Sequence, residues 1–146
     1  VVVTDDEEEE GDEEEEEEEE EIPEDTPPEQ REKIVAARLA KKLESVPEGD
    51  GTMLDNTVII YISDGAEGHH SRCWEWPVVM LGNAGGKLKA VRYVDYPGYG
   101  EIGHRTTANL YTTFLNIAGS SAERFGMADP NLKDLDQSGP LAELLA

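Results

Sequence analysis

Basic residues are scarce in this 146-residue chain: 12 Lys and Arg stand against 34 Asp and Glu, a formal net charge of −22. Such a balance repels phosphate backbones, and no basic stripe is read along the sequence to offset it, so nucleic acid is excluded as a partner. Cysteine is nearly absent. One residue, Cys73, cannot form an internal disulfide, and it lacks the paired spacing of a redox or zinc-knuckle motif. No apolar run approaches the ~18 residues a membrane span needs, and no charged n-region followed by an apolar h-region marks a signal peptide. The chain opens Val1-Val2-Val3 rather than on Met, which reads as a piece of a longer chain or a processed product.

The acid is concentrated. Asp5 to Asp25 holds eighteen carboxylates and no basic residue, which leaves about −4 for the rest of the chain. Like charges repel and the tract has almost nothing to bury, so it is expected to be disordered. Residues 1–25 are therefore read as an acidic low-complexity linker or inserted loop, with a bait for basic proteins or loosely held cations as the functional alternative. Val1 to Thr4 is either the tail of a strand or a frayed terminus. The domain expected over residues 26–146 is long enough for one small core.

That domain begins with helix signals. Thr26 is placed to cap, Pro27 suits the first helical position and Glu29 completes a capping box. Val35, Leu39, Leu43 and Val46 share one stripe, predicting an amphipathic helix over about 27–46 that ends at Pro47-Glu-Gly-Asp-Gly51. Thr57-Val-Ile-Ile-Tyr-Ile62 has the length and β-branched content of a strand buried on both faces. Pro77 to Gly82 reads as a second strand and Leu88 to Val94 as a third, nearer an edge. Gly82-Asn-Ala-Gly-Gly86 lacks the Gly-Lys-Ser/Thr ending of a phosphate loop and reads as a plain turn. Asp95 to Gly103 is a Pro/Gly-rich surface loop carrying Tyr96 and Tyr99. A helix starting at Thr106 or Thr107 places Leu110, Phe114, Ile117 and Ala118 on one face, with Gly119 as terminator. Ser120 to Gln137 is irregular, and a short helix is expected over Leu141 to Ala146.

Chemistry-bearing residues gather after the first strand. Asp64, His69, His70, Arg72, Cys73, Trp74 and Trp76 follow Ile62 within a few positions, and His104 and Arg105 precede the later helix. In open α/β sheets, ligands bind outside the carboxyl ends of strands. A carboxylate with neutral imidazoles suits zinc or another late divalent ion, so Asp64, His69, His70 and His104 are candidate metal ligands. Arg72 and Arg105 are candidate anion contacts through bidentate geometry. Blander roles stand beside these: Asp64 as a turn cap, the histidines as loop residues, the tryptophans as core anchors, Cys73 as a small buried residue and the arginines as partners of the many acids.

The order of helix, Leu54-Asp55-Asn56-Thr57, strand and Ser63-Asp64 resembles the late part of the alkaline phosphatase and sulfatase superfamily, as does His104 followed by a helix ending in Ala118-Gly119. More narrowly, GHHSRCWEWP, GNAGGKLK, GHRTTANLYTT and LKDLDQSGPLAELLA are similar to the carboxyl-terminal part of a secreted bacterial family, domain of unknown function 1552, over most of residues 37–146. The resemblance implies a partial alkaline-phosphatase-like α/β sheet with flanking helices and a secreted or periplasmic location. It further implies a divalent metal held by Asp64, His70 and His104, with His69 a ligand or its support. The implied activity is hydrolysis of a small phosphate or sulfate ester whose anion Arg72 or Arg105 contacts. Two departures are plain. Asp64 is separated from His69 by Gly-Ala-Glu-Gly, where the superfamily has His next to Asp, and the superfamily's nucleophile and second metal pair have no counterpart here. A non-catalytic secreted binding or scaffold protein on the same fold is the alternative.

Overall fold

The computed structural model describes residues 21–63 and 75–146. Val1 to Thr4, most of the acidic tract, and Asp64, His69, His70, Arg72, Cys73 and Trp74 lie outside those residues. Among the described residues the fold is mixed α/β. Three helices, α1 (Pro28–Glu44), α2 (Met53–Asn56) and α3 (Thr107–Ile117), accompany two small antiparallel sheets and a 3₁₀ turn at Ala142–Leu144. The sheets pair β1 (Pro47–Glu48) with β2 (Gly51–Thr52), and β3 (Ile59–Ile62) with β4 (Val78–Leu81).

β3 and β4 set the frame. Ile60 lies opposite Met80 and Ile62 opposite Val78, so these four share one face; Ile59 with Leu81 and Tyr61 with Val79 share the other. Val78 and Met80 pack against the core, a cluster of the buried leucines Leu88, Leu110, Leu141 and Leu144, with Val58, Val94, Tyr96, Phe114 and Ile117 around it. α1 lies toward the opposite face, where the Tyr61 hydroxyl donates to Glu32 Oε2 at 3.4 Å. The burial on both faces expected of this strand is incomplete, because two strands cannot fill a sheet: Ile60 is 41% and Val79 52% exposed.

α1 has the expected length but a different start and a different packed side. Pro27 rather than Thr26 occupies the cap position, and no side chain caps the helix, so the Thr26/Glu29 capping box is not formed. The Thr26 N–H instead donates to Pro23 O at 3.0 Å in a turn. Val35 and Leu39 are largely exposed, while Ala36, Ala40, Leu43 and Val46 are half-buried. Small alanines allow the close approach, which turns the predicted apolar stripe partly outward.

A capping box does form at α2. The Thr52 N–H and hydroxyl both donate to Asp55 Oδ2 at 2.9 Å, and the Asp55 N–H returns to Thr52 Oγ1 at 3.4 Å. Gly82 follows β4 with φ +91°, and a Cβ there would collide with the carbonyl oxygens of Thr57 and Leu54. Only glycine permits this contact between the end of the ribbon and α2. In the turn it opens, the N–H groups of Ala84, Gly85, Gly86 and Leu88 are already used by Thr57 O, Asp55 O, Asn83 Oδ1 and Asn83 O.

The third strand is not formed. Leu88 makes an isolated bridge to Leu145, flanked by Lys89 N to Leu144 O at 2.9 Å and Ala146 N to Lys87 O at 3.0 Å. Beyond it Val91 adopts φ 54° with its side chain fully exposed, which ends any pairing. The terminal helix expected over Leu141 to Ala146 is a single 3₁₀ turn that buries Leu144.

α3 carries two inward faces. Leu110, Phe114 and Ile117 meet the core as expected. Asn109, Thr112 and Thr113 are also buried, and they hold the irregular segment after Gly119 by its backbone. Asn109 Nδ2 donates to Ser138 O (3.0 Å), Gly139 O (2.9 Å) and, more distantly, Gln137 O (3.4 Å). Thr112 Oγ1 accepts from Phe125 N at 2.9 Å and Thr113 Oγ1 from Leu141 N at 2.7 Å; each hydroxyl donates its own proton one turn back, to Ala108 O and Asn109 O. Asn116 Nδ2 adds a bond to Ala122 O at 2.9 Å. A segment without ladders must satisfy its buried backbone in some other way, and α3 supplies it.

Candidate functional site

Of the six candidate site residues, His104 and Arg105 are described; Asp64, His69, His70 and Arg72 lie outside. The described chain nonetheless brackets them. β3 runs out at Ile62-Ser63 and β4 begins at Val78, its register partner, so the segment bearing those four residues leaves and re-enters at one end of the ribbon. At the other end, Lys87 Nζ donates to Ile117 O at 2.8 Å, a cation on the carbonyl end of α3. This ties the carboxyl end of α3 to the turn after β4. The His104 end of α3 and the Ile62–Val78 end of the ribbon are thus both the ends remote from that turn.

His104 is half-buried where the Pro/Gly loop meets α3. Its N–H donates to Glu101 O at 3.1 Å, closing the loop, and Gly103 before it takes φ +91°. Its Nδ1 lies 3.0 Å from Pro97 O. A carbonyl oxygen only accepts, so this bond places the proton on Nδ1 and leaves Nε2 as the lone-pair nitrogen of the neutral ring. The Tyr99 ring packs edge-on against the imidazole, centroids 5.6 Å apart and planes at 72°. Tyr99 is in turn held by its hydroxyl, which donates to Asp129 Oδ2 at 2.9 Å. That bond, ahead of burial and the Asp129 charge, raises the Tyr99 pKa. The Asp129 carboxyl is held below its usual value, first by the Asn131 N–H and then by Tyr99.

Arg105 is set beside Asp136 and the Tyr96 phenol. Its Nη1 reaches Asp136 O at 3.4 Å, and its charge, after the Ser138 hydroxyl and N–H, helps hold the Asp136 carboxyl low. Burial pushes the Tyr96 hydroxyl up to about 12, with the charge and bond of Glu143 adding to it and Arg105 opposing. Gln137 braces the same corner, accepting from Asp129 N at 2.7 Å and donating to Asp129 O and Leu132 O at 3.0 Å.

Asn109 fixes where α3 starts. Its Oδ1 accepts from the Thr106 N–H at 2.9 Å and the Thr106 hydroxyl at 3.0 Å, so the helix entry beside His104-Arg105 is pinned from inside the fold. Sequence reading missed Asn109, Asp129 and Gln137 as parts of this neighbourhood. Asp129 lies 30 positions from Tyr99, and no local spacing could pair them.

Of the candidate ligands only His104 is among the described residues, and its Nδ1 is anchored to a backbone carbonyl, the usual orientation of a ligating histidine. Among the described residues alone, no three His, Cys, Asp or Glu side chains come together to hold a metal. No described helix is long and apolar enough to cross a membrane. The chain matches no protein-family model, no curated protein and no solved structure.

Proposed function

We propose that this chain is the carboxyl-terminal portion of a secreted, alkaline-phosphatase-like α/β protein with metal-dependent activity on small phosphate or sulfate esters. Asp64, His69 or His70, and His104 are the ligands in this reading, and Arg72 and Arg105 the anion contacts. The observation that carries it is the Nδ1 bond of His104 to Pro97 O, which presents Nε2 as a ligand nitrogen. The bracketing of positions 64–74 at one end of the ribbon supports it. A bound divalent ion would supply Lewis-acid polarisation of the ester oxygen and activation of a nucleophile. The chain's own contribution is to orient His104 through the Asp129–Tyr99 contact and to set positive charge beside it at Arg105. The nucleophile has no counterpart in this sequence.

The test is metal content by mass spectrometry, with zinc titration followed by calorimetry. Zinc held by the folded chain raises its apparent stability by mass action. Wild type should bind one equivalent saturably, and Asp64→Ala and His104→Ala should each lose it. A folded wild type that shows no saturable shift sinks the ligand assignment.

A second reading, a non-catalytic binding protein on the same fold, is favoured by a different observation. Val91, Tyr93, Ile102 and Met127 are each 88% exposed or more, an unusual presentation of large apolar side chains. If zinc does not bind, this reading takes precedence.

A further inference from the structure

α1 gathers five of the chain's twelve basic residues, Arg31, Lys33, Arg38, Lys41 and Lys42, against three acidic ones, Glu29, Glu32 and Glu44. It is net positive in a chain of net charge −22. At about 100° per residue, Arg31, Arg38 and Lys42 fall within about 40° of one another. Val35 and Leu39 lie next to that stripe, 54% and 46% exposed. Arg38 and Lys42 engage partners of their own, so what the face offers is its net field and its open apolar surface rather than an idle side chain.

The chain enters α1 along this same helix. Arg31 Nη2 donates to Pro23 O and Glu24 O, both at 3.1 Å, which folds the residues before the helix back onto its first turns. Immediately upstream are the carboxylates of Glu7 to Glu21. Those fifteen residues can span about 50 Å when extended at ~3.3 Å each, whereas the seventeen residues of α1 are about 25 Å long. A segment tethered this close has an effective concentration on the order of millimolar, while a second copy is repelled by its own charge.

We propose that the acidic tract is the cover of the basic and apolar face of α1: an intramolecular electrostatic contact that keeps anionic partners off the helix and releases it as salt rises. One such contact accounts for the placement of the acid run, the exposed Val35 and Leu39, and the clamp of Arg31 on the incoming backbone.

Zero-length carbodiimide coupling of the intact chain, with mass spectrometry on the monomer fraction, tests it. Lys41 and Lys42 should couple to the glutamates of 7–21 at least about 5-fold more than Lys33, on the far side of the helix, and than Lys89 and Lys133 do at low salt, with the difference gone by ~0.5 M salt, where screening is nearly complete beyond ~4 Å. Equal coupling at all five lysines, or coupling confined to cross-linked dimers, overturns the proposal. A second measurement uses a fluorescent fifteen-residue poly-glutamate peptide added in trans. The variant with every glutamate from Glu7 to Glu21 replaced by Gln and Asp12 by Asn should bind it at least about 10-fold more tightly than the intact chain, since the tethered competitor has then lost its charge. Adding Lys41→Glu and Lys42→Glu should abolish that binding. Equal affinity for the intact and neutralised chains also overturns it.

Discussion

Replacing Asn109 by Ala should cost this protein a large part of its stability, although the residue is polar and lies outside the leucine cluster. Asn109 is 1% exposed. Its carboxamide makes four bonds of 3.0 Å or shorter, accepting from the Thr106 N–H and hydroxyl and donating to Ser138 O and Gly139 O. A neutral hydrogen bond is worth about 1 kcal/mol net, and removing one partner strands the other in a buried site. Four such bonds, less what water recovers at the half-buried Thr106, give about 3 kcal/mol. For a domain near 100 residues that corresponds to a drop in Tm of roughly 12 °C or more. Urea unfolding at pH 7, followed by far-ultraviolet circular dichroism, should show a lower midpoint at unchanged slope. Asn109→Asp keeps the acceptor half but turns a carboxylate oxygen toward two carbonyl oxygens, so it should be worse than Ala. A loss below about 1 kcal/mol for Asn109→Ala, or an Asp variant as stable as wild type, would refute the claim that this side chain holds the segment after α3.

Other consequences are as direct. Gly82→Ala should destabilise by roughly 3 kcal/mol or more in the same urea assay, combining a positive φ with a Cβ driven into two carbonyl oxygens; a neutral result would remove the ribbon–α2 contact from the fold. Tyr96 keeps its proton in the folded chain to about 12, above the ~10 of an unfolded tyrosine, so its contribution is whole below ~10 and lost as pH rises through about 12. Phenolate absorbance should show Tyr99 titrating late and Tyr96 latest of all, and Tyr96→Phe should delete only the component near about 12; survival of that component in the variant would contradict the assignment. Asp55 runs in the opposite sense. Its folded pKa lies below 3.8 because of the Thr52 N–H and hydroxyl, so its contribution is present above that value and lost as pH falls through the folded one. Asp55→Asn should therefore flatten the acid limb of stability against pH.

What the sequence revealed was whatever depends on near neighbours. α3 was readable because Thr106, Leu110, Phe114, Ile117 and Gly119 state a start, a face and a stop within one element. β3 and β4 were readable as short apolar runs between turn residues. Leu88 to Val94 carries the same composition, but strand formation needs a partner, and past Leu145 the described residues offer none. α1 shows the limit of periodicity: Val35 and Leu39 fit the stripe, yet the neighbours of the helix select Ala36, Ala40 and Leu43. The surroundings of His104 were least legible. Pro97 and Tyr99 are close in sequence, but Asp129 and Gln137 reach the site only through tertiary folding.

The polar face of α3 also sets how freely different parts of this chain can vary. Asn109, Thr112, Thr113 and Asn116 grip Ser138, Gly139, Phe125, Leu141 and Ala122 through main-chain atoms. Every amino acid offers a backbone carbonyl, and all but proline offer the N–H, so most exchanges at 122, 125 and 138 leave the grip intact; Gly139, at φ +77°, is the exception. The instructions for the path of that segment are written in a different part of the chain, on one helix. A library randomised at positions 122, 125 and 138 should therefore yield many folded members, while one randomised at the four polar positions of α3 should yield few.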